Sequence, residues 1–206
     1  RTTRRLMLRV ALTGGMATGK SYVAGKLRSA GFPVVDADVL AREAVAPGSA
    51  GLRAIVERFG PGVLGTGGAL DRARLAAIVF ADAEARLALE AIVHPIVRTG
   101  IDRFWTACPG GTAFAVADIP LLYETGRAGD FDAVIVAACP REMQLDRIVR
   151  RDGATREQAE RRLAAQLPIE DKARRADYII DTSTTLAATD AAVDQVVRAL
   201  RARART

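Results

Sequence analysis

The chain has 206 residues, half of them apolar, a formal net charge of +6 and a pI near 10.0. That is enough for one α/β domain with inserted subdomains and a core that needs no staples, and no apolar run has the length to cross a bilayer. The arginines are dispersed and no basic run alternates with aromatic residues, so the excess charge argues for phosphate-bearing small molecules and a solvated surface rather than nucleic acid.

Residues 1–6 precede Met7, which reads as a natural start, and are set aside. Leu8 to Leu12 is apolar nearly throughout, as a strand covered on both faces should be. It runs into Gly14-Gly15-Met16-Ala17-Thr18-Gly19-Lys20-Ser21, which fits G-x-x-x-x-G-K-[ST] between a strand and an amphipathic stretch starting near Lys20. Glycines open backbone conformations that let successive N–H groups converge on one anion, here the β-phosphate of a nucleotide. The helix that starts near Lys20 adds unpaired N–H groups and the positive end of its dipole. Gly14, Gly15, Ala17, Thr18, Gly19, Lys20, Ser21 and Tyr22 are the expected ATP-binding residues. Lys20 reaches the β/γ-phosphates as a point charge, and Ser21 Oγ ligates Mg²⁺.

The helix is expected to end near Ala30, capped by Gly31, before a short strand from Phe32 to Val35. Asp36-Ala37-Asp38 lies just past that strand, where open parallel sheets put their ligands. Asp36 is a candidate for binding an acceptor hydroxyl or taking its proton, with an N-cap of the next helix as the alternative for Asp36 or Asp38. Apolar spacings of three and four follow in Leu52-Ile55-Val56-Phe59, Leu75-Ile78-Val79 and Leu87-Leu89-Ile92-Val93, punctuated by glycines, and Asp71 reads as an N-cap. His94, the only histidine, precedes Pro95 within a helical pattern, which predicts a kink or break there. It is read as a structural or substrate-contacting residue.

Ala113 to Ala117 predicts a third strand, ending at Asp118, a carboxylate placed to position Mg²⁺ through water or to cap the next element, with Glu124 as an alternative. A fourth strand, Ala133 to Ala138, ends at Cys139; Cys108 and Cys139 show no metal-ligand spacing and read as reduced thiols in a cytosolic protein. A basic helical segment follows. Arg147 and Arg151 are four apart on one face, suited to stabilising charge on a transferred phosphoryl group, while interleaved acids mark the other arginines as a salt-bridged surface. Tyr178 to Ile180 is the last strand, closed by Asp181, and a helix from about Leu186 to Leu200 leads into a short Arg-rich end expected to fray. Strands alternating with helices behind a phosphate loop predict an α/β fold: a P-loop NTPase-type three-layer sandwich with a mostly parallel five-stranded sheet.

From Met7 onward the chain resembles the dephospho-CoA kinase family. The resemblance is carried by Leu12-Thr13-Gly14-Gly15 through Gly19-Lys20-Ser21, Val35-Asp36-Ala37-Asp38 with Ala41-Arg42, Leu70-Asp71-Arg72 with Val79-Phe80, and His94-Pro95. It continues in Asp118-Ile119-Pro120-Leu121-Leu122-Tyr123-Glu124, Gln144-Leu145 with Arg147 and Arg151-Asp152, Ala164-Ala165-Gln166, and Ala176 to Asp181. It implies ATP-dependent phosphorylation of the ribose 3′-hydroxyl of dephospho-CoA in a fold similar to nucleoside monophosphate kinases, with ATP and Mg²⁺ and no nucleic-acid or membrane partner. The protein would be cytoplasmic, a monomer or weak homo-oligomer. Residues 7–38, 113–140 and 176–206 would form the core, 39–112 a helical acceptor-binding insertion, and 141–175 a helical lid. Catalysis would fall to Lys20, Asp36, Arg147 and Arg151, acceptor binding to Asp36, Asp38, Arg42 and His94, and the metal to Ser21 and, through water, Asp118. The chain departs from the family pattern at Ala17, where another glycine is usual, at Tyr22, where a small hydroxyl residue is usual, and at Thr182, where asparagine is common.

Two other readings use the same loop. A related small-molecule kinase acting on a nucleotide or sugar is opposed only by the helical insertion. A GTP-dependent switch normally reads guanine through an Asn-Lys-x-Asp stretch, and this chain contains no asparagine.

Overall fold

The computed structural model describes residues 7–205, and the setting aside of residues 1–6 lies outside that span. The chain divides into two compact units, one formed by the residues up to Val35 and from Cys108 onward, the other by Asp36–Ala107.

The first unit is built on a sheet in the order β2-β3-β1-β4-β5. Its strands are β1 (Leu8–Gly14), β2 (Val34–Asp36), β3 (Phe114–Asp118), β4 (Ala133–Ala138) and β5 (Tyr178–Asp181). The β1–β3, β1–β4 and β4–β5 pairs are all parallel. Continuous apolar runs in β1, β3 and β4 make this sheet, because a strand covered on both faces cannot alternate. The first strand is two residues longer than its apolar run: Thr13 and Gly14 stay in register with Val136 and Ala137.

Helix α1 (Lys20–Ser29) and the C-terminal α9 (Leu186–Arg203) pack together and close the largest core cluster. Val23, Leu27, Val193 and Leu200 meet Val10, Leu12, Val116 and Ile135 there. Each such burial contributes about 1.5–3 kcal/mol before entropy is counted. Gly31, at φ 85, ends α1 as predicted: its N–H and that of Phe32 bond back to Arg28 and Leu27 carbonyls at 2.9 and 3.1 Å. The turn swings Phe32 onto Phe114, ring centroids 4.0 Å apart. The Arg-rich end does not fray as expected. α9 continues to Arg203, Arg201 lies over the Phe32 ring at 5.0 Å, and Arg203 donates to the Asp132 carbonyl. Packing of the long arginine stems supplies what a polar helix end lacks. Three further helices, α6 (Arg141–Asp152), α7 (Arg156–Ala164) and α8 (Ile169–Arg174), occupy the stretch between β4 and β5.

The second unit is helical: α2 (Ala37–Ala44), α3 (Ala50–Phe59), α4 (Arg72–Ala81) and α5 (Ala83–Ala107). Asp71 caps α4 as the sequence suggests, its carboxylate accepting from the Arg74 N–H at 3.0 Å. Ile55, Val63 and Leu75 form the core with Phe59, Leu89, Ile92, Val93 and Ile96 packed around them. Leu87, within the apolar spacing of this stretch, is 60% exposed. Of the kink or break expected at Pro95, the break does not occur: α5 is a single helix of 25 residues that contains it. An interior proline costs about 3 kcal/mol, and here Ile92, Val93 and Ile96 on either side are anchored in the core, so burial offsets the lost bond.

Candidate active site

The loop after β1 is defined by where its carbonyls go. Gly15 O accepts from Thr18 Oγ1 at 2.9 Å, Met16 O from Gln144 Nε2 at 2.8 Å, Ala17 O from Arg147 Nη1 at 3.2 Å, and Thr18 O from Thr182 Oγ1 at 2.5 Å. Gly19 O accepts from the N–H groups of the third and fourth residues of α1, Tyr22 at 3.0 Å and Val23 at 3.3 Å. In a trans peptide the carbonyl and the following N–H point opposite ways, so carbonyls bound by surrounding side chains turn the N–H groups of Ala17 and Gly19 to the other side. That is the arrangement an anion needs. Gly19 sits at φ 81 and Ala17 at φ 58, the only described non-glycine residue with positive φ, so the alanine departure lands where left-handed backbone is demanded. The glycines also give way to neighbours: a Cβ on Gly14 would lie 2.7 Å from Ala137 O, and one on Gly15 2.5 Å from Gln144 Nε2.

Lys20, in the first turn of α1, extends back over the loop and pairs with Asp118 at the end of β3. The two side chains are 15% and 4% exposed, so both charges are largely removed from water and each satisfies the other. Register explains the meeting: Asp118 faces Leu12, two residues before the loop begins. Ser21 is exposed beside Lys20. Among the described residues no group of three or more His, Cys, Asp or Glu could hold a metal ion. A magnesium ion held mainly by nucleotide phosphates and water needs only one or two protein oxygens, and the groups on offer for it here are Ser21 Oγ and, through water, Asp118.

Arg147, half-buried on α6, bridges two loops: besides Ala17 O it donates to Thr182 O at 2.7 Å. Arg151, one turn on, is exposed and pairs bidentately with Asp152 at 2.7 and 3.2 Å, and Arg162 of α7 joins the same carboxylate at 2.8 Å. Those bonds hold Asp152 below the usual carboxylate range, the Arg151 hydrogen bond most of all. Tyr22 turns to α9, where its hydroxyl donates to Asp190 at 2.8 Å. The bond to Asp190 pushes the phenol up, while those from Lys26 and Tyr22 pull the Asp190 carboxyl down. The alternative carboxylate, Glu124, is taken by Lys172 at 2.7 Å and by the Leu167 N–H at 3.0 Å. Partial burial raises its carboxyl, but these hydrogen bonds prevail and hold it below the ordinary value.

The remaining predicted residues belong to the second unit. Asp36 caps α2, its carboxylate accepting from the N–H groups of Asp38 at 2.8 Å and Val39 at 3.4 Å. That bond fixes the side chain at a helix start and leaves its other oxygen for a ligand. Asp38 and Arg42 stand exposed on the same helix, and His94 is exposed on α5, which packs against α2.

Sequence reasoning assigned no role to Gln144, Gln166, Lys172 or Thr182. Gln166 Oε1 accepts from the Met16 N–H at 2.9 Å, so with Gln144 it holds both edges of that residue. The signal available was a polar residue on an apolar helical face: Gln144 shares its side with Ile148, and Lys172 its side with Ile169. Leu145, Ile148 and Ala159 of α6 and α7 also pack on Met16 and Ala17, so the loop is gripped by apolar surface as well.

A dephospho-CoA kinase family model matches residues 8–188. The dephospho-CoA kinase of Anaeromyxobacter dehalogenans is 48% identical over 194 residues, 93% of this chain and 92% of that protein. A crystal structure from Thermus thermophilus matches with a TM-score of 0.82 at 34% identity, over 94% of this chain and 98% of that one. Dephospho-CoA kinase from Campylobacter jejuni matches with a TM-score of 0.70 at 31% identity, over 94% and 96% of the two chains. The match runs through the phosphate loop, the strand that ends in Asp118 and the helices that hold the loop's carbonyls, and the chain belongs to the dephospho-CoA kinase family.

Proposed function

We propose that the chain transfers the γ-phosphoryl group of ATP to the ribose 3′-hydroxyl of dephospho-CoA, giving CoA and ADP in the last step of CoA synthesis. The observation that carries this reading is that the carbonyls of Met16, Ala17 and Thr18 are each bound from outside the loop, while Gly15 O is held by Thr18 within it, which leaves the Ala17 and Gly19 N–H groups turned to one side for an anion. Phosphoryl transfer asks a protein mainly for position and charge compensation, so such a cradle is most of the machinery. Lys20 would leave Asp118 for the β/γ-phosphates, an exchange of one anionic partner for another. Asp36 orients the acceptor hydroxyl and takes its proton as the oxygen bonds to phosphorus and the bond to ADP breaks. Arg147 and Arg151 neutralise charge on the phosphates, Arg151 after release from Asp152. Residues 39–112 hold the acceptor with Asp38, Arg42 and His94, and residues 141–175 act as a lid that excludes water. Ser21 and, through water, Asp118 would hold Mg²⁺, which supplies charge neutralisation on the phosphates. Cys108 and Cys139, with no metal-ligand spacing, suit a cytoplasmic protein.

The test is to incubate the protein with Mg·ATP and a panel of acceptors and follow ADP. Turnover is expected with dephospho-CoA and little with AMP, dTMP, gluconate or shikimate; acceptor-independent ADP release or preference for another acceptor would overturn the reading. Lys20→Ala should lower kcat by about 10²–10³-fold. Asp36→Asn should lower kcat by about 10²-fold or more while leaving ATP affinity nearly unchanged. An active Asp36→Asn variant would reduce that residue to a helix cap.

A further inference from the structure

Lys172 is 0% exposed, although lysine is among the residues least often fully buried. Its ammonium has three acceptors for three N–H donors: Glu124 Oε1 at 2.7 Å, Pro120 O at 3.2 Å and Gly14 O at 3.5 Å. Only the first is a charge partner. The other two are main-chain carbonyls, one at the end of β1 where the phosphate loop starts, the other two residues beyond Asp118 after β3. Pro120 O is held from a second side by Thr13 Oγ1 at 3.1 Å, and the Ile119 N–H reaches Leu12 O at 2.9 Å. Six residues before Lys172, Gln166 takes the Met16 N–H. α8 therefore grips the loop at its first carbonyl, and the turn that enters it grips the loop again two residues on.

Anchoring α8 would not require a charge. A buried ion pair is commonly replaced by uncharged groups of similar volume with no loss of stability, so the pair's presence is weak evidence for a purely stabilising role. What an apolar side chain lacks is directional donors to Gly14 O and Pro120 O.

We propose that Lys172 is a positioning residue for phosphoryl transfer, fixing the spacing between the end of β1 that opens the phosphate loop and the end of β3 that carries Asp118. The loop amides and Lys20 belong to the first of these strand ends, and the carboxylate that pairs with Lys20 to the second. A change of their separation displaces the transferred phosphoryl group from its donors without removing any of them. This inference rests on the kinase reading above.

The experiment compares wild type, Lys172→Met and the double variant Lys172→Met/Glu124→Gln, with thermal melting and steady-state kinetics in both substrates at a temperature where each is folded. Turnover of dephospho-CoA by the wild type tests the function itself; the variants test the role of Lys172. Lys172→Met alone leaves the Glu124 carboxylate without its cation and should melt early. The double variant removes both charges and should regain much of the melting temperature, yet its kcat should remain lowered by about tenfold or more, because small misplacements of reacting groups are costly. Its KM for dephospho-CoA should stay within about twofold of wild type, because Lys172 holds the nucleotide-binding strands. A double variant whose kcat recovers together with its melting temperature would reduce Lys172 to a stabilising residue and overturn the proposal.

Discussion

The phosphate loop and the helical unit are held in shape by different means. Around the phosphate loop, cohesion is polar and directional: Gln144, Arg147, Gln166, Lys172 and Thr182 each spend hydrogen bonds on the loop's main chain. In Asp36–Ala107 the cohesion is apolar area, Ile55, Val63 and Leu75 among helices, and Phe80, Leu87 and Ile78 remain 88%, 60% and 38% exposed. The difference follows from the task of each part. Holding helices together requires surface, which is indifferent to angle. Aiming N–H groups at a phosphate requires fixed peptide planes, which only hydrogen bonds to the opposite edge can supply.

One substitution in each unit tests that separation, and the larger effect belongs to the loop. Gly14→Ala puts a methyl group 2.7 Å from the Ala137 carbonyl of β4, main chain that cannot swing aside. Overpacking of this kind costs about 1–3 kcal/mol, and the strain falls on the loop that binds ATP. We expect lowered stability by denaturant titration and loss of detectable ATP binding by calorimetry. Gly51→Ala is the matched change in the second unit, where the new methyl meets the Ala44 carbonyl and lies 2.9 Å from Ile96 Cδ1. A similar stability loss of about 1–3 kcal/mol is expected there, with a raised KM for the acceptor and unchanged ATP affinity. Equal loss of ATP binding in both variants would show that the two units are one energetic body.

The same contrast decides what was legible in the sequence. β1, β3 and β4 were legible because a doubly covered strand must be apolar throughout, and Gly31 because a helix that ends in left-handed backbone wants glycine. The phosphate loop was legible because its spacing is local. Its supports were not: Gln144, Lys172 and Thr182 lie more than a hundred residues from the loop, and nothing in a helix pattern says which carbonyl a buried amide or ammonium will find. Pro95 shows the complementary limit. Local stereochemistry called for a kink or a break, and tertiary burial of Ile92, Val93 and Ile96 kept the helix unbroken.

The smallest expected effect is at Ala17, where the two kinds of cohesion meet. Its φ of 58 is left-handed, which costs an L-residue about 1–2 kcal/mol. Ala17→Gly relieves that strain. Against it stand the contact that the Ala17 methyl makes with the α6–α7 cluster, about 0.8 kcal/mol for a buried carbon, and about 0.4–1 kcal/mol of added freedom in the unfolded chain. These nearly cancel, so chemical denaturation should show a change within about 0.5 kcal/mol, while a loop freer before binding should hold ATP about twofold more weakly. A stability gain above about 1 kcal/mol would mean that strain dominates and that the methyl contact contributes little. An unchanged ATP affinity would mean that bonds to Met16, Ala17 and Thr18 carbonyls fix the loop by themselves, whatever residue stands at the strained position.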